Sequence, residues 1–248
     1  MNAYTIKDLE NLSGVKAHTI RIWEQRYSFL KPQRTSTNIR YYSCEELKSV
    51  LNIALLNKYG FKISHIDRMC ANEMQERLIS LTHSQAQQER VLNELLHYMV
   101  DLDVCRFEKT LDLHIAERGL DKCVSQLIFP FLDKTGLLWS NNINPCQEHL
   151  VSHIIRQKLV AAIGGCDPGN YIDKLAVLFL PEGEHQDLGL LYMNYVFKNQ
   201  GITVMYLGGN VPLKDVHFVS NVKNPDFLYT HLSGIGEHFN FARYLTQV

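Results

Sequence analysis

No stretch of this chain approaches the roughly 20 consecutive apolar residues that a membrane-spanning helix needs, so no membrane association is read from it. The polar N-terminus also lacks the layout of a secretory signal. Cysteine is sparse and scattered. Cys44, Cys70, Cys105, Cys123, Cys146 and Cys166 form no C-x-x-C pair, which argues against a disulfide framework and for reduced thiols in a cytoplasmic protein. A phosphate-binding loop of the Walker type is missing, as is any Ser/His/Asp or Cys/His order that would mark nucleophilic catalysis. There is no internal repeat and no low-complexity segment. His149 and His153 stand four apart on a helix with Glu148 beside them, but no third ligand completes a zinc site, and a bundle helix facing a cofactor space is the better reading. Net charge is nearly absent too, at -1, although this reflects cancellation.

Residues 1–69 carry 11 Lys/Arg against 6 Asp/Glu, whereas the remainder carries 14 against 20. A basic head on an acidic body fits a nucleic-acid reader attached to something that is not one. The 248 residues, 46% hydrophobic and 21% charged, suit one to two globular domains. The charge concentrates between Lys16 and Tyr42, where Lys16, Arg21, Arg26, Lys31, Arg34 and Arg40 face one acid, Glu24. Such clustering is the electrostatic footprint of phosphate binding.

Hydrophobic spacing predicts the elements. Thr5, with Asp8 three residues on, caps a first helix whose buried face is Ile6, Leu9 and Leu12, and Ser13-Gly14 ends it. A second helix runs from about Lys16 to Tyr27, burying Ile20 and Trp23 and presenting His18, Arg21 and Gln25. A hairpin follows with Asn38 at its tip, and Ser43 to Glu46 reads as a capping box for a third helix. Residues 70–86 are polar and read as a helix end plus a linker. From about 87 to 162 the pattern is helical, interrupted by a loop at Asn141–Pro145, and predicts a four-helix bundle. The period then changes. Leu175–Leu180, Ile202–Leu207 and Phe227–His231 read as buried parallel strands separated by helices at about 187–199 and 211–222. The fold class expected is therefore mainly α plus α/β. It comprises a winged helix-turn-helix (1–70), a helical bundle (85–165) and a doubly wound, Rossmann-like sheet (172–248). Three strands would leave an edge open, which predicts a truncated sheet or a partner over that edge.

The first 69 residues resemble the MerR-type winged helix-turn-helix regulators, on YTIKDLENLSGV, TIRIWEQRY and the wing NIRYYSCEEL. Asn38 stands where the family's wing usually has glycine, and Asn tolerates positive φ. The resemblance implies binding to double-stranded promoter DNA as a homodimer or tetramer. The second helix would lie in a major groove with His18, Thr19 and Arg21 near base edges. Lys16, Arg26, Tyr27, Arg34, Asn38, Arg40 and Tyr42 would serve the backbone and wing contacts.

Residues 87–248 resemble the cobalamin-binding half of light-responsive and related regulators of this type. The marks are Trp139, then Glu148-His149, then Glu182–Gly189, then Tyr206–Pro212. In such domains the first strand is usually followed by an Asp/Glu-x-His-x-x-Gly loop whose histidine binds cobalt. Anchored on Glu184 and Gly189, that histidine position holds Gln186, and His185 is one place early. Ser140 stands where light-sensing members have an upper histidine ligand. Both protein ligands to cobalt are thus missing, and photochemistry is not expected. Three readings stay open for this half. It can hold cobalamin without histidine ligation, using the crevice at the strand ends and Gly208-Gly209; it can bind another ligand; or it can be a protein-protein module that has lost the cofactor. The competing classes are a corrinoid-carrying methyltransferase-type module, which would need the missing ligand set, and a non-DNA adaptor with a basic head.

Overall fold

The computed structural model describes residues 4–140, 145–232 and 240–246, with the backbone alone at 137–140, 241 and 245. The chain divides into two compact units, 1–151 and 152–248.

The first unit opens with α1 (Ile6–Ser13), which the expected capping box starts: the Thr5 side chain accepts from the Asp8 N–H, and the Asp8 carboxylate accepts from the Thr5 N–H. Gly14 ends it in the left-handed region, φ 73°, where a Cβ would be strained. Helix α2 (Ala17–Arg26) follows, burying Ile20 and Trp23. Strands β1 (Gln33–Arg34) and β2 (Arg40–Tyr41) pair antiparallel as the wing, with Asn38 turning at φ 64°. Tyr4 extends this ribbon by an antiparallel bridge to Tyr42. Helix α3 (Cys44–Lys58) starts at a second capping box, Ser43 with Glu46, and buries Leu47, Val50, Leu51 and Leu55. With Leu9, Leu12, Ile20 and Leu30 these form the core of the head, each worth roughly 1.5–3 kcal/mol against exposure.

The polar stretch after residue 70 is not a helix end and linker. Helix α4 (Ile63–Ile66) is a single turn, and a separate helix α5 (Ala71–Ile79) follows, with Cys70 accepting from the Glu73 N–H at its start and Leu78 buried. Its polarity reflects a helix that buries one residue only. Then come α6 (Ser84–Asp101), α7 (Val104–Arg118), α8 (Leu120–Cys123) and α9 (Phe129–Ser140). Between α8 and α9 the backbone widens to a π-helical turn over Val124–Ile128, with the Phe129 N–H bonded to the Val124 carbonyl. Pro130 supplies the reason, since it has no N–H to continue the tighter ladder. Within this unit α6 packs on α3, and α9 packs on α1 and α6. Helix α10 (Pro145–Gly164) begins at the proline that the sequence places in a first turn. The division between the two units falls inside α10, and residues 141–144 lie outside the described residues.

The second unit holds a parallel sheet of β3 (Ile172–Pro181), β4 (Ile202–Val211) and β5 (Phe227–Tyr229), in the order β4-β3-β5. The first strand in sequence is therefore central, and Ala176 to Pro181 are buried. Period two sorts the central strand. Ala176, Leu178 and Leu180 pack on Leu190 of α11 (Leu188–Asn199), while Val177 and Phe179 pack on Val216 of α12 (Leu213–Lys223). One helix on each face is the doubly wound arrangement. A short α13 (Phe241–Leu245) ends the described chain.

Candidate nucleic-acid interface

The exposed side of α2 is built by helical spacing. With Ile20 and Trp23 facing inward, His18, Arg21, Ile22 and Gln25 form one solvent-facing stripe. Thr19 is half-buried beside it. Ile22, 44% exposed, shares this stripe and was missed by reasoning from charge alone. The helical period was sufficient to find it.

Glu24 has a different task from its neighbours. Its side chain is only 8% exposed, and it accepts from Arg40 Nε at 3.1 Å and from the hydroxyl of Tyr42. The only acid between Lys16 and Tyr42 is thus spent inside, joining α2 to the wing. This changes the reading of two expected phosphate contacts. Tyr42 is fully buried, so it supports the interface rather than touching a ligand. Burial first, and then its bond to Glu24, raise the Tyr42 pKa well above the usual phenol value, so the hydroxyl stays a donor. Arg40 is one-third exposed and bound to Glu24, so it orients the wing.

The other basic groups remain outward. Arg21, Arg26, Lys31 and Arg34 are exposed. Lys16 is exposed at the start of α2 and pairs loosely with Glu10 at 3.3 Å, an interaction that solvent screens. Arg34 Nη1 donates to Asn38 Oδ1 at 2.6 Å, stiffening the wing tip. Arg26 lies 5.9 Å from the Tyr27 ring, and Tyr27 stacks on Phe29, itself edge-on to Trp23. The linking loop is pinned at both ends, by Ser28 to Asp67 and by the Lys31 N–H to Glu46 Oε1 at 2.9 Å. The result is a cationic surface carrying one helix and one hairpin.

In the second unit the residues expected near a corrinoid fall differently. Glu184 is buried and turned into its own loop, where Oε1 accepts from the Gln186 N–H at 3.1 Å and its carbonyl accepts from the Asn210 N–H. His185 and Gln186 are both exposed. Gly208-Gly209 does not follow the second strand but lies within β4, which runs on to Val211. There Gly208 takes φ 88° beside a register shift. A Cβ on Gly209 would meet the Glu184 carbonyl at 3.0 Å, so that glycine serves loop packing. Gly189 does face a side chain that the sequence reading missed. A Cβ on Gly189 would meet the ring of His231, 3.0 Å from its Nε2, and the ring's Nδ1 is buried. Burial lowers the His231 pKa, although Glu184 and Asp187 counteract this. Asp187, also missed, receives both guanidinium nitrogens of Arg156, at 2.7 and 2.5 Å, and the Tyr206 hydroxyl at 3.0 Å. Its place inside the loop motif was the available signal. In the first unit Glu148 is half-buried and His149 exposed. The side chains of Trp139 and Ser140 lie outside the described residues. No group of three or more metal-ligating side chains is present among the described residues.

A winged helix-turn-helix with its acid turned inward and its cations outward defines this as a DNA-reading class of protein. Residues 4–73 match the family model of MerR HTH family regulatory proteins. The chain therefore carries a MerR-type helix-turn-helix domain at its N-terminus. It is similar to the HTH-type transcriptional repressor CarH of Myxococcus xanthus, 28% identical over 91% of this chain and 77% of the relative. It is also similar to the repressor CarA of the same organism, 26% identical over 84% and 68%. A shorter match, 26% over 49% of the chain and 45% of the relative, is to the transcriptional regulator MlrA of Salmonella typhimurium. All three are named as transcription regulators, and the methyltransferase-type and adaptor readings are not favoured.

Proposed function

We propose that this protein regulates transcription as a dimer or tetramer on promoter DNA, in the cytoplasm. Helix α2 reads a major groove through His18, Arg21, Ile22 and Gln25, and the wing grips the flanking backbone. Arg21 has the reach and geometry for a guanine edge, and Ile22 suits a thymine methyl. Lys16, Arg26, Lys31 and Arg34 serve the phosphates. The observation that carries this reading is the exposed stripe on α2, held in register with the wing by Glu24. A gel shift on the region upstream of the coding sequence, titrated with salt, tests it. With four phosphate-directed cations per head, a dimer should lose affinity with a slope of about -7 in log K against log salt. A near-zero slope would contradict it.

The second unit is read as a degenerate sensor or an assembly module. The residues present do not fit a corrinoid held from below by a histidine of the loop. Glu184 is folded inward, His185 and Gln186 face solvent, and the space beside Gly189 is filled by His231. Cobalamin without histidine ligation, another ligand, or none at all are separated by identifying any small molecule that copurifies with the chain.

A further inference from the structure

Within the first unit, a cavity of about 260 Å³ opens where the head meets the bundle. Its walls include Gly14 at the turn between α1 and α2, Leu51, Ala54 and Leu55 of α3 with Lys58 after them, Glu89 and Asn93 of α6, and Lys134 of α9. The volume corresponds to about nine waters at ~30 Å³ each, or one organic molecule of about nine non-hydrogen atoms. Three sides of the lining are apolar or already satisfied. Lys58 is paired with Glu89 at 2.6 Å, and the Asn93 amide donates to the Leu51 carbonyl at 3.1 Å.

Lys134 is different. Its ammonium donates to the Leu12 carbonyl at 2.9 Å, the end of α1, and it has no carboxylate partner among the described residues. An ammonium has three donors, so one bond leaves donor capacity in a partly buried place. Burial lowers the lysine's pKa, and Glu89, which acts against this, is already bonded to Lys58. With Lys58 and Glu89 offsetting each other, the lining keeps one net positive charge at Lys134 and leucines opposite, which selects an amphipathic monoanion. We propose that this cavity binds a small organic carboxylate, with its anionic end on Lys134 and its apolar end against Leu51 and Leu55. Because the walls come from α1, α3, α6 and α9, an occupant would tie the helix-turn-helix to the bundle. The site stands apart from the reading of α2 as a DNA reader, so it is tested without DNA.

The probe is benzoate, of about the required size, titrated into the full chain by calorimetry and by thermal unfolding. Benzylamine and inorganic phosphate serve as controls for charge sign and for the apolar wall. Benzoate should bind once per chain and raise Tm, while neither control does so. Lys134→Met should weaken binding roughly tenfold or more, as expected for the loss of a charge-assisted hydrogen bond. Ala54→Val, which narrows the same cavity without touching charge, should weaken it as well and covers the case in which the lysine variant does not fold. Absence of benzoate binding, an equal response to benzylamine, or unchanged affinity in either variant that folds would overturn the proposal.

Discussion

Removing the Glu24 side chain should loosen the wing from the reading helix, and the loss can be worked from its two partners. Tyr42 is fully buried, so Glu24→Ala leaves a hydroxyl without its acceptor, at a cost of about 1–3 kcal/mol. Arg40 is one-third exposed and can turn to water, so its share is about 0.5–1 kcal/mol. Together the variant should lose about 1.5–4 kcal/mol. Glu24→Gln keeps an acceptor for Tyr42 and gives up only the charge, so it should lose about 1 kcal/mol. Urea unfolding followed by circular dichroism gives both values, and the double variant with Arg40→Ala isolates the coupling of that pair. DNA affinity should fall in Glu24→Ala although the helical signal persists, because the wing no longer keeps its register with α2. A Glu24→Ala protein within about 0.5 kcal/mol of the parent, with DNA binding intact, would refute the latch.

Arg21→Ala should relax discrimination among duplexes by about 1–3 kcal/mol at one position, whereas Arg34→Ala should weaken all duplexes alike and reduce the salt slope by about 0.9 per head; competition binding across a substituted duplex panel separates the two. Burial holds the His97 pKa down at about 4 in the folded protein against about 6.5 when unfolded. The folded state therefore binds fewer protons, and stability present above about pH 6.5 is lost as pH falls towards 4, on the order of 3 kcal/mol in full. Urea midpoints between about pH 7 and pH 5 should fall in the parent and fall less in His97→Leu; equal slopes would contradict this. Adenosylcobalamin mixed with the chain should show no absorption spectrum of a histidine-ligated corrinoid, and the appearance of one would overturn the placement of His185 and Gln186.

Elements with strong local signals were legible in the sequence. Both capping boxes, the left-handed Gly14, the turn at Asn38 and the period change at the sheet all follow from side-chain chemistry within a few residues. The alternation along β3 even sorts its two faces onto α11 and α12. Local signals fail where partners are distant. Nothing near Glu24 in sequence says that it binds Arg40 and Tyr42, because that pairing depends on how the hairpin folds back on α2. Tyr42 looked like a wing contact because its ring and hydroxyl suit one; the bridge to Tyr4 buries it instead. His231 lies far along the chain from Gly189, and only parallel strand order brings β5 beside the loop after β3. Helix α5 was missed because a helix that buries little more than Leu78 has almost no apolar period to read.

We propose that the stripe on α2 reads base edges while a latched wing holds the backbone. Selection from a randomised duplex library, with the intact protein at near-physiological salt, measures this most directly. One two-fold-symmetric site should be enriched, with Arg21→Ala losing the preference at a defined position in each half. Recovered sequences no different from the input, or an enriched site unaffected by Arg21→Ala, would contradict it.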